Sequence, residues 1–119
     1  MTCPFCTPPR KVLDRNEFSY AVRDGSPVSP GHTLVIARRH AVTLLDLPPE
    51  EYSACFALVR CVVDRLFEEL RPDGFNIGSN CGTSAGQTVM HAHIHVIPRF
   101  SGESLTPKGG IMGFPDLFP

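Results

Sequence analysis

The sequence predicts an α+β domain, a mainly antiparallel five-stranded sheet carrying one long helix. Three observations carry this prediction. Residues 90–99 alternate apolar and histidine side chains with a period of two, the spacing of an extended strand. Residues 49–70 repeat apolar side chains every three or four positions, the spacing of a helix face. Four further short apolar runs, 11–14, 18–23, 32–37 and 75–80, are bounded by turn residues and read as strands.

At 119 residues the chain reads as one domain, 1–119, long enough to build a single core. A net charge of −1 gives no basic field, so capture of nucleic acid by charge is not expected, and any phosphate must be held locally. No apolar run approaches the ~20 residues that span a bilayer, so no membrane partner is expected. The first residues, Met1 to Cys6, lack the charged and apolar regions of a secretory leader. Five cysteines, an odd number, without such a leader point to reduced thiols and a cytoplasmic location.

The elements follow in order. Cys3-Pro4-Phe5-Cys6 is followed by Pro8-Pro9, which forbid the helix that a thioredoxin-like redox pair starts. A structural metal clip suits this backbone, yet Cys-x-x-Cys is half of a tetrahedral zinc site, and two free thiols remain an open reading. Lys11–Asp14 and Phe18–Arg23 form two strands around the turn Arg15-Asn16, with Phe18, Tyr20 and Val22 on one face. Asp24-Gly25-Ser26-Pro27 and Ser29-Pro30-Gly31 break the chain before the β-branched run His32–Ala37. Thr43–Leu47 is a linker with room for one helical turn.

Pro48-Pro49-Glu50-Glu51 starts the helix, with proline in the first turn and acids complementing the dipole. Tyr52, Phe56, Val59, Val63, Leu66 and Leu70 form its stripe, widened by Cys55, Leu58, Val62 and Phe67. So broad an apolar surface is expected to meet a second subunit through the 49–70 helix, giving a homodimer. Phe75–Asn80 is the next strand. Cys81–Thr88 is a loop of small residues that can turn backbone N–H groups toward an anion, although it is no P-loop. The Pro/Gly-rich tail, 101–119, is expected to drape over the surface, with Ile111, Met112, Phe114, Leu117 and Phe118 docking part of it.

On the last strand His91, His93 and His95 share one face about 7 Å apart, while Ala92, Ile94 and Val96 share the other. One buried histidine explains itself as structure; three in a row do not. Two chemistries fit. The histidines could ligate a catalytic metal, making a metal-dependent hydrolase. Alternatively one imidazole attacks an electrophile and forms a covalent intermediate, and a neighbouring loop of N–H donors suits a phosphoryl group. A nucleotide-binding module without turnover is the non-enzymatic reading.

His91-Ala92-His93-Ile94-His95-Val96-Ile97, with Gly86-Gln87-Thr88 before it and Pro30-Gly31-His32 far upstream, resembles the histidine-triad (HIT) family of nucleotide hydrolases and transferases. The resemblance covers about residues 3–100. It implies that His93 attacks the α-phosphate of a purine nucleotide conjugate, a dinucleoside polyphosphate or a nucleoside phosphoramidate, forming a nucleotidyl-histidine that water hydrolyses. His91 would orient His93 through its carbonyl, His95 would donate to a phosphate oxygen, and His32 would stand behind. Asn80, Gly86, Gln87 and Thr88 would hold phosphate and leaving group, Asp24 the ribose, and Phe5 and Val22 the base. The resemblance also implies a structural zinc on Cys3, Cys6, His40 and His91, and no catalytic metal. Many relatives carry a short helix where this chain has Thr7-Pro8-Pro9-Arg10, so the base pocket is expected to be more open.

Overall fold

The computed structural model describes residues 3–102. The expected docking of the tail falls on residues 103–119, outside the described residues. Five strands form one sheet in the order β1 (Asp14–Arg15), β2 (Ser19–Arg23), β3 (Thr33–Ala37), β5 (His93–Arg99) and β4 (Gly74–Gly78), every pairing antiparallel. Between β3 and β4 the chain makes a short 3-10 turn, Leu44–Asp46, and the helix α1, Pro49–Leu70. Thr43 caps the turn reciprocally with Asp46. The helix starts at proline with Glu50 and Glu51 in its first turn. It ends at Arg71, whose backbone is left-handed at φ 50°. Among the described residues no helix is long and apolar enough to cross a membrane.

Strand alternation divides the sheet into two faces. Ala21, Val35, Ala37, Ile94 and Val96 form a buried layer with Cys55, Leu58, Val59, Val62 and Leu66 of α1. Tyr20, Val22, Leu34 and Ile36 point to the opposite face, where Phe5 covers them. In this register Ile36 pairs with His93 and Leu34 with His95, so both histidines stand on the face that the helix leaves open.

Three expectations shift. The first strand lies at Asp14–Arg15, later than 11–14, because Asn16 forms the turn: its side-chain oxygen accepts from the Phe18 and Ser19 N–H groups and the Ser19 hydroxyl. The last strand begins at His93, so His91 precedes it in a bend. The helix turns to the sheet a stripe drawn from both expected sets, Cys55, Leu58 and Val62 with Val59 and Leu66, and leaves Phe67 exposed. Tyr52, Phe56 and Leu70 are 39%, 39% and 38% exposed, whereas Cys55, Leu58 and Val62 are buried. Both stripes repeat at three and four residues, and the smaller or aliphatic side chains lie closer against the flat sheet.

Gly31 holds the turn into β3 for two reasons. Its φ is +87°, and a Cβ there would lie 2.7 Å from the Leu70 side chain and 3.1 Å from that of Leu66. The next residue is His32, so this close approach of turn to helix fixes the first site histidine.

Candidate active site and metal centre

Backbone groups set the tautomers of the buried histidines. His93 Nδ1 lies 2.7 Å from the His91 carbonyl oxygen, which can only accept, so Nδ1 carries the proton and Nε2 keeps its lone pair. Ser79 holds the carbonyl of His93 itself: its hydroxyl donates to that oxygen at 2.6 Å. On His32 the order is reversed. The Val28 N–H donates to His32 Nδ1 at 3.1 Å, so His32 carries its proton on Nε2. That proton faces His95 Nδ1 at 2.9 Å and Asp24 Oδ2 at 3.3 Å. His95 Nδ1 is therefore an acceptor, and His95 presents Nε2–H as a donor.

Burial keeps these rings neutral. Desolvation pushes the pKa of His93 down against the opposing pull of the His91 carbonyl. His95 falls to about 4, chiefly through desolvation and secondarily through His93 and His32. Desolvation also lowers His32 more than the Asp24 carboxylate raises it, so their contact is a hydrogen bond of a neutral ring and not an ion pair. A neutral imidazole with a bare nitrogen next to a neutral donor is an arrangement that can act as nucleophile and hydrogen-bond donor near pH 7.

His91 turns the other way. Its Nε2–H donates to the Ala37 carbonyl oxygen at 2.6 Å, which leaves Nδ1 bare. Around that atom stand Cys3 Sγ at 3.2 Å, His40 Nδ1 at 3.2 Å and Cys6 Sγ at 3.8 Å, and Cys6 Sγ is 3.3 Å from His40 Nδ1. All four ligand atoms lie within 4.8 Å of one another. Tetrahedral zinc with bonds of about 2.05 Å to nitrogen and 2.3 Å to sulfur has ligand–ligand edges of about 3.3–3.8 Å. The spacing and the Cys₂His₂ donor set fit that ion, and the Ala37 carbonyl supplies the outer partner that fixes a metal-bound histidine. Cys55 is apart, buried in the core with its thiol pushed up to about 11, mainly by desolvation.

A cavity of about 400 Å³ opens over His93 and His95, walled by Phe5, Asp24, Leu34, Asn80, Gly86 and Thr88. The Phe5 ring meets His93 edge-on with centroids 5.1 Å apart, and the Phe5 carbonyl accepts from the Tyr20 hydroxyl at 2.7 Å. Phe5 sits between Cys3 and Cys6, so one short loop carries two metal-site thiols and a wall of the cavity.

The sequence profile of the HIT domain matches residues 7–102. The chain belongs to the histidine-triad family. Over 109 residues it is 37% identical to an AP-4-A phosphorylase of Mycobacterium tuberculosis, covering 89% of this chain and 56% of that protein. Over 89 residues it is 40% identical to the asymmetrical bis(5'-nucleosyl)-tetraphosphatase of Schizosaccharomyces pombe, covering 75% of this chain and 49% of that protein. The chain thus spans less than two thirds of either relative. A crystal structure of a Zn-bound histidine-triad protein from Mycobacterium smegmatis matches with a TM-score of 0.80 at 35% identity, covering 95% of this chain and 88% of that one.

In this HIT chain the expected site residues mostly converge, with three differences. Val22 has no exposed surface and backs the wall, while Leu34 lines it. Gln87 lines the cavity but is held by backbone: Nε2 donates to the Val42 and Val89 carbonyls, the latter at 3.0 Å, and Oε1 accepts from the Gly82 N–H at 2.8 Å. It pins the loop. Some of the loop's N–H groups are also engaged: Ala85 and Gln87 donate to the Gly82 carbonyl, and Gly86 donates to that of Thr83. His95 and Thr88 line the cavity where an anion would be met. Sequence reading missed Ser79, Val28 and Tyr20, whose roles depend on contacts across the sheet and carry no motif. It also missed Arg10, which joins the cavity wall.

Proposed function

We propose that the chain hydrolyses purine nucleotide conjugates at the α-phosphate through a covalent nucleotidyl-histidine on His93. One observation carries this reading. His93 Nδ1–H is held by the His91 carbonyl at 2.7 Å, so a bare Nε2 stands beside His95 on a cavity of about 400 Å³. In the first step Nε2 forms a bond to the α-phosphorus and the bond to the leaving group breaks, the leaving group departing with its electron pair. His95 Nε2–H donates to a non-bridging oxygen as charge gathers there. In the second step water attacks the same phosphorus, the P–Nε2 bond breaks, and the nucleoside monophosphate leaves. His91 and His32 are positioning residues, one through its carbonyl and the other through the proton it gives His95 Nδ1.

Asp24 would take the ribose hydroxyls, Phe5 and Leu34 the base, and Asn80 and Thr88 the phosphates and leaving group. The relatives named for dinucleoside tetraphosphate chemistry support this substrate class. The divided tautomers favour the covalent reading over a shared catalytic ion, because the lone pair of His91 faces Cys3, that of His95 accepts from His32, and that of His93 is left open to the cavity. Cys3, Cys6, His40 and His91 would hold a structural zinc that ties the first loop to the triad. The exposed stripe of Tyr52, Phe56, Phe67 and Leu70, with Ile77 of β4, would form the homodimer contact. A hydrolysis screen of adenosine phosphoramidate against diadenosine tri- and tetraphosphates tests the reading. Turnover of one or more, lost in His93→Ala, is expected; full turnover in His93→Ala would overturn it.

A further inference from the structure

Arg10 lies against the turn that follows β2 and lines the catalytic cavity together with Asp24 and Ser26. It is the one lysine or arginine among the residues of that wall. Among the described residues its guanidinium makes no hydrogen bond or ion pair, although a carboxylate stands in the same cavity. Asp24 is turned elsewhere: Oδ1 accepts from the Ser26 N–H at 2.8 Å and Oδ2 faces His32.

The seat of the guanidinium is Gly25. A Cβ at that position would lie 2.3 Å from Arg10 Nη2, 3.0 Å from Cζ and 3.3 Å from Nε. Gly25 is not in the left-handed region, unlike Gly31, Gly82 and Gly86. Its backbone therefore does not call for glycine, and the absent side chain is what lets the Arg10 plane approach so closely. A seated, unpaired cationic plane on a nucleotide-sized cavity offers a flat face to an aromatic ligand, and arginine rather than lysine has that face.

We infer that Arg10 is a specificity-determining residue that packs its guanidinium plane on the nucleobase and favours purines over pyrimidines, whose π face is smaller. The inference rests on the nucleotide reading above. Because Arg10 touches the base and not the reacting phosphorus, it acts on KM and leaves kcat unchanged.

The test compares adenosine and uridine 5'-phosphoramidates, with AMP and UMP binding by calorimetry as a readout independent of turnover. Arg10→Lys keeps the charge and removes the plane. It should raise KM and Kd for the adenine ligands about two- to fivefold, the range of an exposed cation–π contact, with a smaller change for the uracil ligands. Gly25→Ala should do the same with Arg10 present, since only a flexible side chain must move. Added to Arg10→Ala it should change nothing further. Equal effects on adenine and uracil ligands, an effect on kcat alone, or additive Gly25→Ala and Arg10→Ala effects would each overturn the role of Arg10. A wild-type protein that neither binds nor hydrolyses any of these ligands would instead overturn the nucleotide reading beneath it.

Discussion

Replacing His95 by glutamine should flatten the acid limb of the protein's stability curve. A histidine free in the unfolded chain titrates at about 6.5, and in the folded protein His95 titrates at about 4. A lowered folded pKa means that the unfolded chain binds the proton first. Stability is therefore intact above about 6.5 and is lost as pH falls toward 4, where the folded ring also protonates. Each pKa unit corresponds to about 1.4 kcal/mol, so the part of the interval crossed between pH 7.5 and 4.5 amounts to about 2.5 kcal/mol. His32 and His93 are lowered in the same direction and add to the wild-type slope. Glutamine keeps an N–H donor but does not titrate. Urea unfolding of both proteins at a series of pH values isolates the His95 share as the difference between the two curves. Parallel curves, with the variant losing as much stability as wild type, would refute the assignment of His95 as a buried neutral donor.

The metal centre should hold close to one zinc per chain by elemental analysis, and Cys6→Ser should lower that content and the melting temperature together; less than a tenth of an equivalent in the wild type would refute it. Sedimentation at micromolar concentration should give about twice the 13.0 kDa chain mass, and Phe67→Glu should return it to one chain with its secondary structure intact. A wild-type monomer would refute the helix contact. Truncating Leu66, fully buried between helix and sheet and touching the turn at Gly31, to alanine should cost about 2–5 kcal/mol in urea unfolding.

What the sequence disclosed follows from the range over which each signal acts. A strand with one histidine face announces itself because side chains alternate whatever the rest of the fold does, and His93 and His95 stand where period two puts them. The helix limits were legible from Pro49 and from Arg71-Pro72, but its orientation was not. Two overlapping stripes of the same period offered the sheet a choice that only packing could make, and it took Cys55, Leu58 and Val62 together with Val59 and Leu66. Resemblance, not spacing, joined Cys3 and Cys6 to His40 and His91, residues 34 to 88 positions apart along the contacts that unite them. Gln87 and the loop N–H groups had been expected at a phosphate. The Gln87 side chain and the Gly82, Ala85, Gly86 and Gln87 N–H groups close the loop on itself, because Gly82 and Gly86 turn its backbone back and neighbouring acceptors come first. Arg10 had no signal at all, since nothing local ties it to Gly25.

The proposed hydrolysis depends on a covalent bond at one nitrogen, His93 Nε2. Rapid mixing with an adenosine phosphoramidate, quenching at alkaline pH and peptide mass spectrometry should find an adenylyl group on His93, formed and lost at rates that match turnover. Turnover with no adduct on His93, or an adduct on another residue that persists in His93→Ala, would contradict it.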